Sequence, residues 1–237
     1  MIDYPIILKD NHIIIDYKGA KYLIDTGAPI SIAKNDFIEF QGKDYSATQS
    51  FSGFDLDKLI DGLGFEFDAL IGGNILKDFI FQIDLKRNFF TTFTNDHRLM
   101  LDKYGHSEIA LVSNIPIFNI YVNNTKNKVY LDTGAKLSYI KKELLNGAQV
   151  IGEEEDFYPG YGRFKTPTYK LTINTDTVLG YISEKKNINL TFGILPKSLE
   201  ALYSIADANA IIGNDIFSWV SIIFYYQRKK IFYINQR

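Results

Sequence analysis

Apolar and polar positions alternate over residues 2–8 and again over 12–17, with Lys9, Asp10 and Asn11 between them, which predicts two strands joined by a turn. Lys18-Gly19 then turns into a strand over 21–24 that delivers Asp25, and 30–33 leaves that loop as another strand. Residues 34–64 are polar and punctuated by glycine, with a short hairpin expected at 51–54. The unbroken apolar run 67–71 predicts a buried strand, closed by Gly72-Gly73. Asn74 is placed to cap a short helix over 75–79, and 80–85 with 88–94 reads as a hairpin turning at Lys86-Arg87. Residues 95–106 carry the least pattern and read as a linker.

Beyond that linker the order repeats. A strand over 115–122, a turn at Asn123-Asn124 and a strand over 128–131 bring up Asp132. The run Glu153 to Asp156 reads as a solvated charged turn, because a block of like charges repels itself. Residues 157–164 set aromatics around Pro159-Gly160 and Gly162, a long hairpin with a permissive tip, and 168–173 is its returning strand. Residues 196–207 are expected to be helical, with Leu199, Leu202 and Ile205 on one face. A strand at 210–213, the segment 214–219 and a hairpin around Gln227, Arg228 and Lys229 complete the echo.

The repeat has two registers. Tyr22 to Pro29 reads Tyr-Leu-Ile-Asp-Thr-Gly-Ala-Pro, and Val129 to Lys136 reads Val-Tyr-Leu-Asp-Thr-Gly-Ala-Lys, 107 positions later. At that offset Ile13 and Ile15 fall on Ile120 and Val122, and Ile30-Ser31 falls on Leu137-Ser138. The downstream block Ala69 to Gly72 matches Ala210 to Gly213 at an offset of 141, so the second half carries about 34 extra residues between its blocks. A repeat of this length predicts two lobes, 1–98 and 99–237, rather than a solenoid with a period of roughly 20–50 residues.

Composition narrows the function classes. With 26 basic and 28 acidic residues, the net charge of −2 offers no excess to neutralise a phosphate backbone, so nucleic acid is not an expected partner. The 237 residues contain no cysteine, which removes disulfides, a thiol nucleophile and cysteine metal sites. His12, His97 and His106 lack metal-ligand spacing and read as surface residues, and no metal or organic cofactor is expected. Met1 to Pro5 lacks the basic start and apolar core of a signal peptide, and no run reaches the roughly 20 apolar residues of a membrane span. A cytoplasmic protein that does not engage membranes is the expectation. Aromatics at 15% suit a β-rich chain with an apolar groove.

The chemistry follows from the two acids. A strand ending on a buried, unpaired carboxylate is strongly disfavoured, and two such strands in one chain suggest that Asp25 and Asp132 meet. Two unit charges about 4 Å apart repel by roughly 4 kcal/mol at an effective dielectric near 20, about three pKa units. Such a pair holds one proton between its members, and so presents a base and an acid face to face, suited to hydrolysis by an activated water. Thr26 and Thr133 offer hydroxyls to the opposite loop, while Gly27 and Gly134 let main-chain N–H groups approach the carboxylates.

Asp-Thr-Gly-Ala twice, each with an apolar-apolar-Gly block downstream, resembles the pepsin and retropepsin superfamily of aspartic proteases, whose dyad is the standard case of carboxylates sharing a proton. The resemblance implies an all-β fold with a few short helices, two similar β-barrel lobes with a cleft between them, and a polypeptide substrate. It implies that Asp25 and Asp132 are the catalytic pair, supported by Thr26, Gly27, Ala28, Thr133, Gly134 and Ala135. The aromatic hairpin would be the flap over the substrate, with Tyr158 or Tyr161 near a tip formed with Gly160 and Gly162. The chain is far shorter than a pepsin and looks like two retropepsin subunits fused into a monomer. Ala28 and Ala135 stand where pepsins carry Ser or Thr, which removes a hydrogen bond to the ionised carboxylate and predicts an optimum around pH 4.5–6.5. The longer insertion lies in the second half, so residues 45–57 are expected to form only a stub and leave the cleft open on one side. The rival readings are a non-catalytic peptide-binding module on the same fold and a selective processing protease for one partner protein.

Overall fold

The computed structural model describes residues 1–93, 101–179 and 182–235. The chain is all-β with a few short helices. The two halves meet in a six-stranded antiparallel sheet. Its order runs from the start of Ile2–Lys9 through Phe89–Phe93, Ile80–Asp84, Val220–Tyr225 and Lys230–Asn235 to Gly105–Glu108. The middle pair, Ile80–Asp84 and Val220–Tyr225, is buried along its whole length, as its nearly unbroken apolar sequence requires. Phe81 and Phe224 are register partners there, their rings stacked at 4.5 Å and 11°.

Each half builds the same device next to that sheet. In the first, Ile2–Lys9, His12–Tyr17 and Ala20–Ile24 form a meander, and Ala69–Ile71 slots in parallel beside Ala20–Ile24. Ile32–Ala33 pairs antiparallel on the other side of Ala69–Ile71. In the second, Ala110–Val112, Ile115–Val122 and Thr125–Leu131 form the meander, Ala210–Ile212 lies parallel to the last strand, and Ser138–Ile140 covers its far side. Ile24 faces Ile71 and Leu131 faces Ile212, so the two sequence offsets coincide in space.

The match upstream of the motif needs correction. Leu23 faces Ile14 while Tyr130 faces Ile117, so the meanders superpose at an offset of 103, not 107. Ile13 and Ile15 therefore correspond to Pro116 and Phe118 rather than to Ile120 and Val122. Register is fixed from the motif end, and the extra residues of the second hairpin accumulate at its tip.

Several local expectations also give way to tertiary contacts. Residues 34–64 hold the hairpin Phe37–Phe40/Lys43–Ser46, the expected small hairpin Ser50–Phe51/Phe54–Asp55, and an unexpected helix, Leu56–Leu63. Asp55 caps that helix by accepting from Lys58 N at 2.9 Å, Gly64 ends it at φ +81°, and Leu56 and Leu59 are its buried face. Asn74 does not cap the next helix, Gly73–Leu76, because its side chain is committed to Ser31. Residues 153–156 are not a turn but part of strand Val150–Tyr158, with Glu153, Glu154 and Glu155 exposed and Asp156 buried. Residues 196–207 break into Lys197–Leu199 and Ala201–Ser204, where Tyr203 is buried and Ile205 is exposed. His12 is buried rather than superficial, its ring against Phe65 and its Nδ1 at 2.9 Å from Asp10 O, while His97 lies outside the described residues. The boundary at 98/99 also lies outside them, and the end of the expected linker is the helix Leu101–Lys103 and the start of the strand Gly105–Glu108, which pairs on both sides. Among the described residues, no helix is long and apolar enough to cross a membrane.

Candidate active site

Asp25 and Asp132 stand at the ends of equivalent strands, each with its N–H bonded to the neighbouring parallel strand, at Ile71 O (3.0 Å) and Ile212 O (2.9 Å). Past each acid the chain curls back. Gly27 N and Ala28 N donate to Asp25 Oδ1 at 2.8 and 2.9 Å, and Gly134 N donates to Asp132 Oδ1 at 2.8 Å, whereas Ala135 N donates to the main-chain Asp132 O at 3.3 Å. The two carboxyls lie close enough together that each acts on the other's hold on a proton. A Cβ at Gly27 would lie 2.1 Å from Asp132 Cγ, and one at Gly134 would lie 2.4 Å from Asp25 Cγ. Only glycine allows this approach.

A lattice of buried hydrogen bonds holds the loops. Thr26 Oγ1 donates to Leu131 O at 2.7 Å and accepts from Thr133 N at 3.0 Å. Thr133 Oγ1 donates to Ile24 O at 2.8 Å and accepts from Thr26 N at 2.9 Å. Asn11 and Asn114, equivalent at the offset of 103, both adopt left-handed turns, at φ +61° and +67°. Asn11 Nδ2 donates to Lys136 O at 2.5 Å and Asn114 Nδ2 to Pro29 O at 3.4 Å, so a turn from each half holds the motif loop of the other. Beneath the loops, Ser31 Oγ donates to Asn74 Oδ1 and accepts from Gly72 N, and Ser138 Oγ donates to Asp215 Oδ1 and accepts from Gly213 N. Asn74 and Asp215 are matched positions with different charges.

Burial raises both acids of the pair above the ordinary carboxylate value; for Asp132 the charge of Asp25 adds to it, whereas main-chain N–H donors act against the shift. Asp215 is also raised, to about 6, chiefly by burial. Tyr158 is pushed up to about 12 by burial and then by the charges of Asp132 and Asp25.

The pair forms the floor of a cavity of about 230 Å³. One wall is apolar and comes from the first half: Leu23, Ile32, Leu59, Leu63 and Leu70. The other comes from the second half and contains Tyr139, Asp156, Phe164, Leu195 and Ile211. The hairpin Val150–Tyr158/Gly162–Leu179 overhangs it. Of the two candidate tyrosines, Tyr158 lines the cavity, whereas Tyr161 is 46% exposed and packs edge-on against Phe164 at 5.7 Å. Gly160 and Gly162 take φ of +88° and +97° at the tip and do not line the cavity.

Residues 45–57 are more than a stub. Phe51, Ser52 and Phe54 of the small hairpin line the cavity, and Phe54 meets Phe157 edge-on at 6.5 Å. Phe157 rests on the helix Leu56–Leu63 at Gly62, where a Cβ would lie 2.2 Å from the ring. The hairpin of the second half thus closes onto the first, and the expected open side is covered. Asp156, Tyr139 and Phe157 were missed as site residues; the spacing of Asp156 and Tyr158 on one strand face was the available signal. Among the described residues, no group of three His, Cys, Asp or Glu side chains could hold a metal ion.

No protein-family model matches the chain, and neither does any curated protein. Among solved structures, a retropepsin-like aspartic protease from Rickettsia conorii aligns with a TM-score of 0.36 and 16% identity, over 54% of this chain and 89% of that one.

Proposed function

We propose that the chain is an aspartic endopeptidase, a single-chain monomer of two lobes, 1–98 and 99–237, in which Asp25 and Asp132 hydrolyse peptide bonds. The observation that carries this is the pair of neighbouring carboxyls lining one cavity, one from each half and each against the glycine of the opposite loop, with burial raising both. Two carboxyls so close hold one proton between them near neutral pH. The ionised member takes a proton from a bound water as it attacks the peptide carbonyl, and the protonated member donates to the carbonyl oxygen. Collapse of the tetrahedral species passes a proton to the departing amine and returns the pair to its shared-proton state, with no covalent intermediate. Thr26 and Thr133 position the acids. An extended peptide of roughly six to eight residues, at about 3.3 Å each, would pair with the flap edge and alternate its side chains between the walls.

The test is incubation with an unfolded polypeptide from pH 3 to 7, with and without pepstatin, and fragment identification by mass spectrometry. Cleavage by the wild type that vanishes in both Asp25→Asn and Asp132→Asn supports the reading. Peptide binding without cleavage at any pH would favour the non-catalytic module.

A further inference from the structure

We propose that Asp156 and Tyr139 form a subsite in the cleft that takes a cationic side chain, lysine or arginine, of the bound polypeptide. The inference rests on the cleft being a peptide site and deepens that reading.

The two walls of the cavity are chemically unequal at matched positions. Leu23, Ile32 and Leu70 of the first half correspond to Tyr130, Tyr139 and Ile211 of the second. Tyr139 therefore stands where the first half has Ile32, and its hydroxyl donates to Asp156 Oδ2. The other oxygen, Oδ1, accepts from Phe157 N at 2.7 Å. Each oxygen thus has one donor, whereas an ionised carboxylate offers about four acceptor sites. Asp156 lines the cavity, on the same strand face as Tyr158, with only 6% of its surface exposed.

Among the described residues, three carboxyl side chains line this cavity, Asp25, Asp132 and Asp156, and no lysine, arginine or histidine does. The shared proton neutralises one of them. In its ionised form Asp156 adds a second negative charge to an apolar space, and burial disfavours that form by pushing its carboxyl above the ordinary value. Lys136 and His12 act on Asp156 only through space. Lys136 Nζ is committed to Asp10 at 3.1 Å, outside the cavity wall. A substrate cation supplies what the wall lacks, through a charge-assisted hydrogen bond in a water-poor site. The apolar wall opposite selects a hydrophobic residue, so the cleft reads a bipartite sequence.

The experiment separates this subsite from catalysis. Two peptides differing only in lysine versus norleucine beside an apolar residue are titrated into Asp25→Asn, in which Asp132 keeps the pair's single negative charge. The lysine peptide should bind about tenfold more tightly or better, and the ratio should fall to near one in Asp25→Asn/Asp156→Asn. An asparagine at 156 still accepts from Phe157 N and can donate to the Tyr139 oxygen, so a fold defect is not expected; thermal melting of both variants checks it. Equal affinities, a ratio that survives in the double variant, or no binding of either peptide would overturn the subsite. Should the lysine preference hold while the wild type cleaves neither peptide, the endopeptidase reading fails and the subsite stands.

Discussion

Thr26 and Thr133 each give the other's backbone N–H an acceptor, at 3.0 and 2.9 Å, while their own hydroxyl protons go to the carbonyls of Leu131 and Ile24. Both are fully buried, so none of these groups can turn to water instead. Thr26→Val keeps the shape but orphans Thr133 N–H and Leu131 C=O. At roughly 1–3 kcal/mol for each of these two buried groups left unsatisfied, the loss should be about 2–6 kcal/mol, read as a shifted urea midpoint. A loss below 1 kcal/mol would mean that the two loops do not depend on this exchange.

Gly27→Ala should leave the fold recognisable but separate the acids, because the new Cβ would stand 2.1 Å from Asp132 Cγ. Displacement of a reacting group by about 1 Å costs on the order of a hundredfold in rate, and that is the fall in kcat expected. Far-ultraviolet circular dichroism on the same sample distinguishes this from unfolding. Near-wild-type turnover would contradict the proposed role of the pair.

Both acids are raised, and the sign of the pH dependence follows. Activity should fall at low pH as the ionised member gains a proton, and at high pH as the pair loses its shared proton. With Ala28 and Ala135, rather than serine or threonine, following the two glycines, the maximum is expected around pH 4.5–6.5, and a pH–rate profile peaking near pH 2 would exclude this account.

Asp215 makes a separate prediction about stability. Its carboxyl is raised from 3.8 to about 6 in the folded chain, so the folded state holds this proton more tightly than the unfolded one. The contribution to stability is full below pH 3.8 and is lost as pH rises through about 6, a span worth roughly 3 kcal/mol. Asp215→Asn, which installs the residue found at the matched position 74, should remove that slope. Urea midpoints of wild type and variant between pH 4 and 7.5 should diverge by about this amount; parallel curves would refute it.

Gly62→Ala bears on the contact between the hairpin Val150–Tyr158/Gly162–Leu179 and the first half. The added Cβ would fall 2.2 Å from Phe157 Cζ and push the hairpin off the helix Leu56–Leu63. Hydrogen exchange over 157–163 should quicken and KM for a peptide should rise, with melting temperature changed little. Unchanged exchange would show that the ring and helix do not hold each other.

Much of the strand-rich fold was legible because its signals are local. Asp25 and Asp132 follow apolar strands, the glycines that admit the opposite carboxyl sit two residues on, and the supporting strands Ala69–Ile71 and Ala210–Ile212 announce themselves as unbroken apolar runs. The helix Leu56–Leu63 carried its own cap at Asp55 and stop at Gly64, yet at eight residues it is too short for its apolar period to stand out from the polar, glycine-bearing stretch around it. Asn74 and Ser31 are 43 positions apart, so their bond could not compete in a reading of local caps. Asp156 was misread because three exposed glutamates precede it; only pairing with Gly162–Leu179 turns its side chain inward.

The amino-acid sequence by itself determined the repeat, the two acid-bearing loops and the strand-rich character, since periodicity and turn chemistry act over a few residues. Tertiary structure alone decided that Tyr158 and not Tyr161 enters the cavity, that Phe157 seats on Gly62, and that a third acid lines one wall. Those outcomes depend on register between strands and on contact between halves more than 90 residues apart in the chain, where pairing geometry, not local propensity, sets which way each side chain points.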